Sequence, residues 1–135
     1  MVKKVVLGTL GSAVVTTLVG WLLFGVLFAD MMKEMMANAP ACFSAEPKMF
    51  FVILANFGLS LMITLLFVKM KINTVRAGIT TGTWIVFFVI LWYDLWAFAN
   101  FDFMNVKTLL FDVVGNTFIG AVGGGVLGWI LSKLE

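Results

Sequence analysis

The chain contains the stretch VVGNTFIGAVGGGVLGWILS, residues 113–132, in which no residue is charged. Twenty residues of α-helix rise about 30 Å, which matches the hydrocarbon thickness of a bilayer. Because a backbone in lipid must satisfy its own hydrogen bonds, the stretch is predicted to be a membrane-spanning helix. Gly120, Gly124 and Gly128 recur at every fourth position, and such small residues let a neighbouring helix approach closely.

Three further stretches are apolar enough to span a membrane, and the whole composition agrees with them. The chain is 62% hydrophobic and 12% charged, whereas an ordinary soluble domain carries about 25% charged residues. The short alternating segments of a membrane barrel are absent from the sequence. The sequence therefore predicts an all-α, four-transmembrane-helix bundle that forms a single integral membrane domain over residues 1–135. The predicted helices cover about 5–29, 50–68, 77–97 and 109–132.

The basic residues predict how the bundle lies in the membrane. Six of them fall at the two termini and in the link between the second and third spans, and three fall in the other links. Cytoplasmic segments carry the excess of lysine and arginine, so both termini are predicted to be cytoplasmic in the inner (plasma) membrane. The short link 69–76 predicts that the second and third spans pack as antiparallel neighbours. The longer link 30–48 is predicted to be an outer loop with a short interfacial helix.

Several function classes have no support in the sequence. The chain has no histidine and one cysteine, and its net charge of +2 is scattered without a basic run. It also lacks the common hydrolase, metalloprotease and phosphate-binding motifs. We therefore predict a non-enzymatic protein without a cofactor that does not bind nucleic acid and whose surroundings are the lipid bilayer.

The glycines of residues 120–128 leave two interpretations open. One is packing inside the four-helix bundle, which small residues commonly serve. The other is a face for a homo-oligomer or a membrane-protein partner, since five glycines in nine residues exceed what one helix crossing needs. The second interpretation predicts a packing or accessory subunit that associates through Gly120, Gly124 and Gly128.

A polar set in the outer half of the bundle suggests a different function. Asp94, Asp112, Asn56 and Asn116 are each predicted near the outer end of a span, and Asp30 ends the first span. Ionisable residues at membrane depth are costly and are functional candidates. Together these residues suggest an outward-open pocket for a cation or a small amphipathic molecule, as in a transporter or binding protein. This function is the alternative to the packing or accessory subunit, which we predict because no polar route crosses the membrane.

Aromatic residues surround Asp94 in the sequence, and they too allow two interpretations. Trp92, Tyr93 and Trp96 are candidate pocket residues, because aromatic rings beside a carboxylate suit an organic cation. Alternatively, Asp94 reaches headgroup water between these interfacial rings, and Asp112 lies in the first turn of the fourth helix, where the helix dipole favours a carboxylate.

The run MMKEMM, residues 31–36, is the last unusual feature. Soft thioether ligands select Cu(I), and Met32 and Met36 share one helix face, as do Met31 and Met35. An interfacial helix that lays flexible methionines on lipid or on the bundle explains the run equally, and we adopt this interpretation, so no metal site is predicted.

The stretch WLLFGVLFADMMK, Trp21 to Lys33, resembles the end of the first helix in an uncharacterised family of small four-helix bacterial integral membrane proteins. An aromatic third span, an aspartate early in the fourth span and small residues near its end are also similar to that family. The resemblance implies the four-helix fold and carries over no activity.

Overall fold

The computed structural model describes residues 1–38, 40–44 and 46–135, and of residue 42 only the backbone. In this part of the chain every regular element is a helix, and four helices are long and apolar enough to cross a membrane. The all-α, four-helix prediction is confirmed. The elements are α1 (Val2–Leu22), a π-helical segment (Leu23–Leu27), α2 (Ala29–Asn38), a 3-10 turn (Pro40–Cys42), α3 (Met49–Lys69), α4 (Val75–Asn100) and α5 (Val106–Lys133).

The last two helices begin earlier than the apolar pattern predicts, because polar residues cap them. The Thr74 hydroxyl accepts a hydrogen bond from the Ala77 amide at 3.2 Å, and this starts α4. Asn105 and Thr108 form a reciprocal capping box, in which the Thr108 amide donates to Asn105 Oδ1 at 2.8 Å. With α5 starting at Val106, no acidic residue lies in its first turn. The prediction that Asp112 lies in that first turn is therefore wrong.

The four long helices pack in the order α3, α1, α5, α4. The interface between α4 and α5 is the most extensive, followed by α1 with α5 and α1 with α3. Helices α3 and α4 hardly touch, so the prediction that they pack as antiparallel neighbours is wrong. The turn between them is tight, with Lys71 in the left-handed region at φ 57°. The two helices take different partners, since Gly78 of α4 lies against Gly124 of α5 and Thr64 of α3 lies against Gly8 of α1.

Glycines explain why α5 takes two neighbours. A Cβ atom on Gly124 would overlap the backbone carbonyl of Gly78 on α4, and one on Gly120 would lie 2.6 Å from the Val86 Cβ. A Cβ on Gly123 would instead overlap the Thr16 side chain on α1. The dense glycine run thus serves two helix crossings within one chain.

The two ends of the bundle differ in character. Lys4, Lys71 and Glu135 line one small cavity, which places both termini and the α3–α4 turn at a shared end, called here the termini end. Phe67 and Leu131 belong to a buried apolar cluster near that end. Helix α2 lies at the opposite end, the α2 end. Since large apolar side chains are exposed along all four long helices, the protein is a multi-pass membrane protein.

Candidate functional site

Asp94 is the most deeply buried ionisable residue described in the chain. Its exposed fraction is 1%, although it lies in a helix whose neighbouring side chains face outward. Its carboxyl group contacts that of Asp112 on α5. The Oδ2 atom of Asp94 is buried and has no hydrogen-bond partner among the described residues. A buried polar atom without a partner costs free energy, so this position calls for an explanation.

Asp112 links Asp94 to a third polar side chain. The Asn116 amide nitrogen donates to Asp112 Oδ1 at 3.1 Å and to the Asp112 carbonyl oxygen at 3.0 Å. The two residues are four apart in α5, so they share a face as the sequence predicts. Asp94, Asp112 and Asn116 therefore form one connected polar cluster.

The aromatic residues of the predicted pocket lie elsewhere. Trp92, Tyr93 and Trp96 are 72%, 52% and 51% exposed and point away from the helix face that buries Asp94. They are therefore not part of the polar cluster. The alternative in which Asp94 reaches headgroup water between these rings is also wrong, because the packing of α4 against α5 turns Asp94 inward.

Two further residues of the predicted polar set stay outside the cluster. The Asn56 amide donates to the Thr17 hydroxyl at 3.4 Å, across the α1–α3 interface. Asp30 begins α2 and is exposed. Convergence of all the helices on one polar site is therefore wrong. Helix α3 packs against α1, so Asn56 bonds to Thr17 rather than to a residue of the polar cluster.

A cavity of about 340 Å³ opens beside Asp112 at the α2 end, and we call it the methionine cavity. Its volume lies within the range typical of ligand pockets. Asp112, Asn116 and Thr108 supply its polar wall. The full lining is Phe24, Phe28, Met31, Met32, Met35, Met104, Thr108, Phe111, Asp112 and Asn116.

The aromatic wall of this cavity depends on the π-helical segment. The Phe28 amide donates to the Leu23 carbonyl at 2.7 Å. This hydrogen bond spans five residues instead of the four of an α-helix, so the turn contains one extra residue. Phe28 then packs edge-to-face against Phe24 and against Phe111, with centroids 5.8 and 5.2 Å apart. Gly115 provides the room, since a Cβ there would lie 2.9 Å from the Phe24 ring. Single π turns are frequent at functional sites.

Helix α2 covers the cavity with one face. Met31, Met32 and Met35 line it, whereas Met36 is 38% exposed and does not. Of the two pairs that share a helix face, Met31 and Met35 both line the cavity, whereas Met32 does so without Met36. Met104, from the link between α4 and α5, joins them. As a single apolar residue in the link 101–105, Met104 gave no sign of this position in the sequence.

Lys107, in the first turn of α5, pairs with a glutamate on α2 rather than with Asp94 or Asp112. Lys107 Nζ lies 3.8 Å from Glu34 Oε2 in an exposed ion pair that joins α5 to α2. Such a surface pair contributes at most about 1 kcal/mol. Within the described residues no lysine or arginine forms an ion pair with Asp94 or Asp112.

A second cavity lies beside the first, where α3 diverges from α4, and we call it the α3–α4 cleft. Its volume is about 530 Å³, and its lining is mainly apolar with polar positions such as Ser60, Thr16 and Asn56. Phe24 and Asn116 line both cavities. The glycines Gly120 and Gly124 reach its wall, but α4 covers their packing face.

No protein-family model matches the chain, and neither a curated protein nor a solved structure does. The resemblance of residues 21–33 to a bacterial membrane family stays a prediction. The site can thus be interpreted only from its own residues.

Proposed function

We propose that this protein binds a cation in the methionine cavity, with Asp112 as the charged contact and Asp94 behind it. The observation that carries the proposal is the buried Asp94 carboxyl group, which contacts Asp112 and leaves one oxygen without a partner. This corresponds to the transporter or binding protein that the outer polar set predicts.

Electrostatics supports a positively charged ligand. Two carboxyl groups in contact repel each other when both are ionised, and removal from water adds a further cost. No basic side chain among the described residues pairs with either group. A proton or a bound cation is then the counter-charge, and the cavity beside Asp112 has room for the cation.

The distribution of polar groups favours binding over conduction. The polar cluster and the methionine cavity lie at the α2 end, whereas Phe67, Leu127 and Leu131 close the bundle towards the termini end. An ion pathway through a membrane needs polar or ionisable groups along its length. We therefore propose a binding or capture step at one face of the membrane.

We place the protein in the inner (plasma) membrane with its termini in the cytoplasm. The support is the excess of lysine and arginine at the termini end and the acidic character of the α2 end. In this orientation the methionine cavity faces the outer side of the membrane.

A second candidate is the packing or accessory subunit. Its specific support is the α3–α4 cleft, because α3 packs on α1 and leaves an apolar groove open beside α4. The glycine face proposed from the sequence is filled by α4. A partner helix, or a second copy of the chain, would therefore use the cleft instead. Native mass spectrometry of the gently solubilised protein tests this, since a stable homo-oligomer or protein complex is expected only for a subunit.

The test of cation binding is ligand-dependent stability of the purified protein in nanodiscs. Thermal unfolding is measured with sodium, potassium, silver and tetraphenylphosphonium salts at matched ionic strength. A ligand at 100 times its Kd stabilises the native state by about 2.7 kcal/mol. We expect one class of cation to raise the Tm of the unmodified protein and to lose this effect in Asp112→Asn.

The matched control is Asp102→Asn, which removes an exposed carboxylate from the link between α4 and α5. It is expected to keep the full cation-dependent shift. An equal loss in Asp102→Asn would show that the effect comes from surface charge. Absence of any cation-dependent shift would overturn the proposal.

A further inference from the structure

We infer that the methionine cavity takes a soft monovalent metal ion, Cu(I) or its analogue Ag(I), through the thioethers of its methionines. The inference rests on the proposed function, because it names the class of cation for the same site. The residues concerned are Met31, Met32, Met35 and Met104.

The donor set is the first argument. Four thioethers line one cavity, three from α2 and one from the link between α4 and α5. Soft thioether ligands select Cu(I) over hard cations such as Na⁺ and Mg²⁺. The chain has no histidine, which is the usual protein ligand for Zn²⁺ and Cu²⁺. The ligands present therefore favour the soft monovalent ion.

The arrangement of α2 is the second argument. Met31 and Met35 are four residues apart and share the helix face that covers the cavity, and Met32 borders them. Met36, in the same run, is exposed to the surroundings. Methionine in a protein core normally fills irregular gaps, yet these side chains leave about 340 Å³ open.

The negative charge of Asp112 and the aromatic wall of the cavity are the third argument. A monovalent metal bound by neutral thioethers keeps its single positive charge, and Asp112 at the cavity wall supplies the opposite charge. Phe24, Phe28 and Phe111 form an aromatic wall that attracts cations and would displace water around a bound ion. Loss of water strengthens the attraction between the metal and Asp112.

The experiment compares Ag⁺ binding among variants that all carry Cys42→Ser, so that no thiol competes for the metal. Isothermal titration with silver nitrate, in a chloride-free buffer, is carried out on the full chain in nanodiscs. The double variant Met31→Leu/Met35→Leu is expected to weaken Ag⁺ binding at least tenfold. Methionine-to-leucine changes nearly conserve volume, so the fold should persist, and far-UV circular dichroism checks this.

The matched control is Met36→Leu, which changes the same run outside the cavity and is expected to leave the Ag⁺ affinity unchanged. X-ray absorption of the protein loaded with Cu(I) is expected to show sulfur scatterers, and fewer of them in the double variant. Unchanged Ag⁺ affinity in the double variant would overturn the inference, as would equal weakening in Met36→Leu.

The two proposals can fail separately. If tetraphenylphosphonium stabilises the protein in an Asp112-dependent manner and Ag⁺ does not bind, the soft-metal inference is wrong and the cation-binding proposal stands. If neither Ag⁺ nor the organic cation nor an alkali ion binds, both are wrong.

Discussion

Replacement of Gly124 by alanine tests the packing that organises this bundle. Gly124 lies in the α4–α5 interface, where a Cβ atom would overlap the Gly78 carbonyl and lie 2.9 Å from the Gly82 Cα. Both obstacles are backbone atoms, which cannot rotate away as a side chain can. The two helices must therefore move apart along the interface that contributes most to the fold.

The size of the effect follows from two opposing contributions. Overpacking a tightly packed site costs about 1–3 kcal/mol, and a rigid backbone neighbour places Gly124→Ala near the upper value. Alanine recovers about 1 kcal/mol because it is the better helix former. We expect a net loss of about 2 kcal/mol in the free energy of unfolding.

Gly58→Ala is the matched control, because a Cβ on Gly58 meets no atom within 4 Å. It gains helix propensity without a clash, so a stabilisation of up to about 1 kcal/mol is expected. The two variants should differ by about 3 kcal/mol in equilibrium unfolding of the micelle-bound protein by sodium dodecyl sulfate, followed by circular dichroism. Equal stability of the two variants would refute the account of the α4–α5 interface.

Two other predictions follow from the helix ends and the charge distribution. Asn105→Ala removes the capping box at the start of α5 and should destabilise the protein by about 1 kcal/mol in the same unfolding assay, and no loss would refute the cap. In a Cys42→Ser background, a membrane-impermeant thiol reagent added to intact cells should label Glu34→Cys and leave Lys3→Cys unlabelled. The reverse pattern would refute the proposed orientation.

The fold was largely predictable because membrane-spanning helices are specified by composition over long windows. Residues 113–132 had to be helical in lipid whatever their neighbours were. Which helices pack against each other was not predictable, because each apolar helix satisfies its own backbone hydrogen bonds in lipid whatever its neighbour is. Two glycines decide it, because Gly78 lets α4 approach α5 closely and Gly8 lets α1 approach Thr64 of α3. The short turn between α3 and α4 determines only that these two helices run in opposite directions.

The site was predictable only in part. The spacing of Asp112 and Asn116 sufficed to place them on one face. The burial of Asp94 depends on how α4 is rotated about its axis. The aromatic residues around Asp94 in the sequence suggest that it faces outward with them, and it does not. Trp92 and Trp96 are exposed, whereas Asp94 between them faces the opposite side of the helix. Met104 lines the methionine cavity because the short link between α4 and α5 passes close to α2. A single apolar residue in a link does not indicate the path that the link takes.

The position of the polar cluster bears on what kind of ligand it can serve. Asp94 is buried where α4 and α5 meet, so a substitution there would alter both the helix contact and the charge beside the cavity. A carboxyl group kept in such a place costs stability unless a proton or a bound cation neutralises its charge. The glycines that bring α4 and α5 together lie further towards the termini end. The glycines that pack α4 against α5 and the aspartates proposed to contact the ligand therefore lie at different places along the same two helices. For this reason Gly124→Ala should lower stability with and without the cation, whereas Asp112→Asn should remove only the stabilisation that the cation provides.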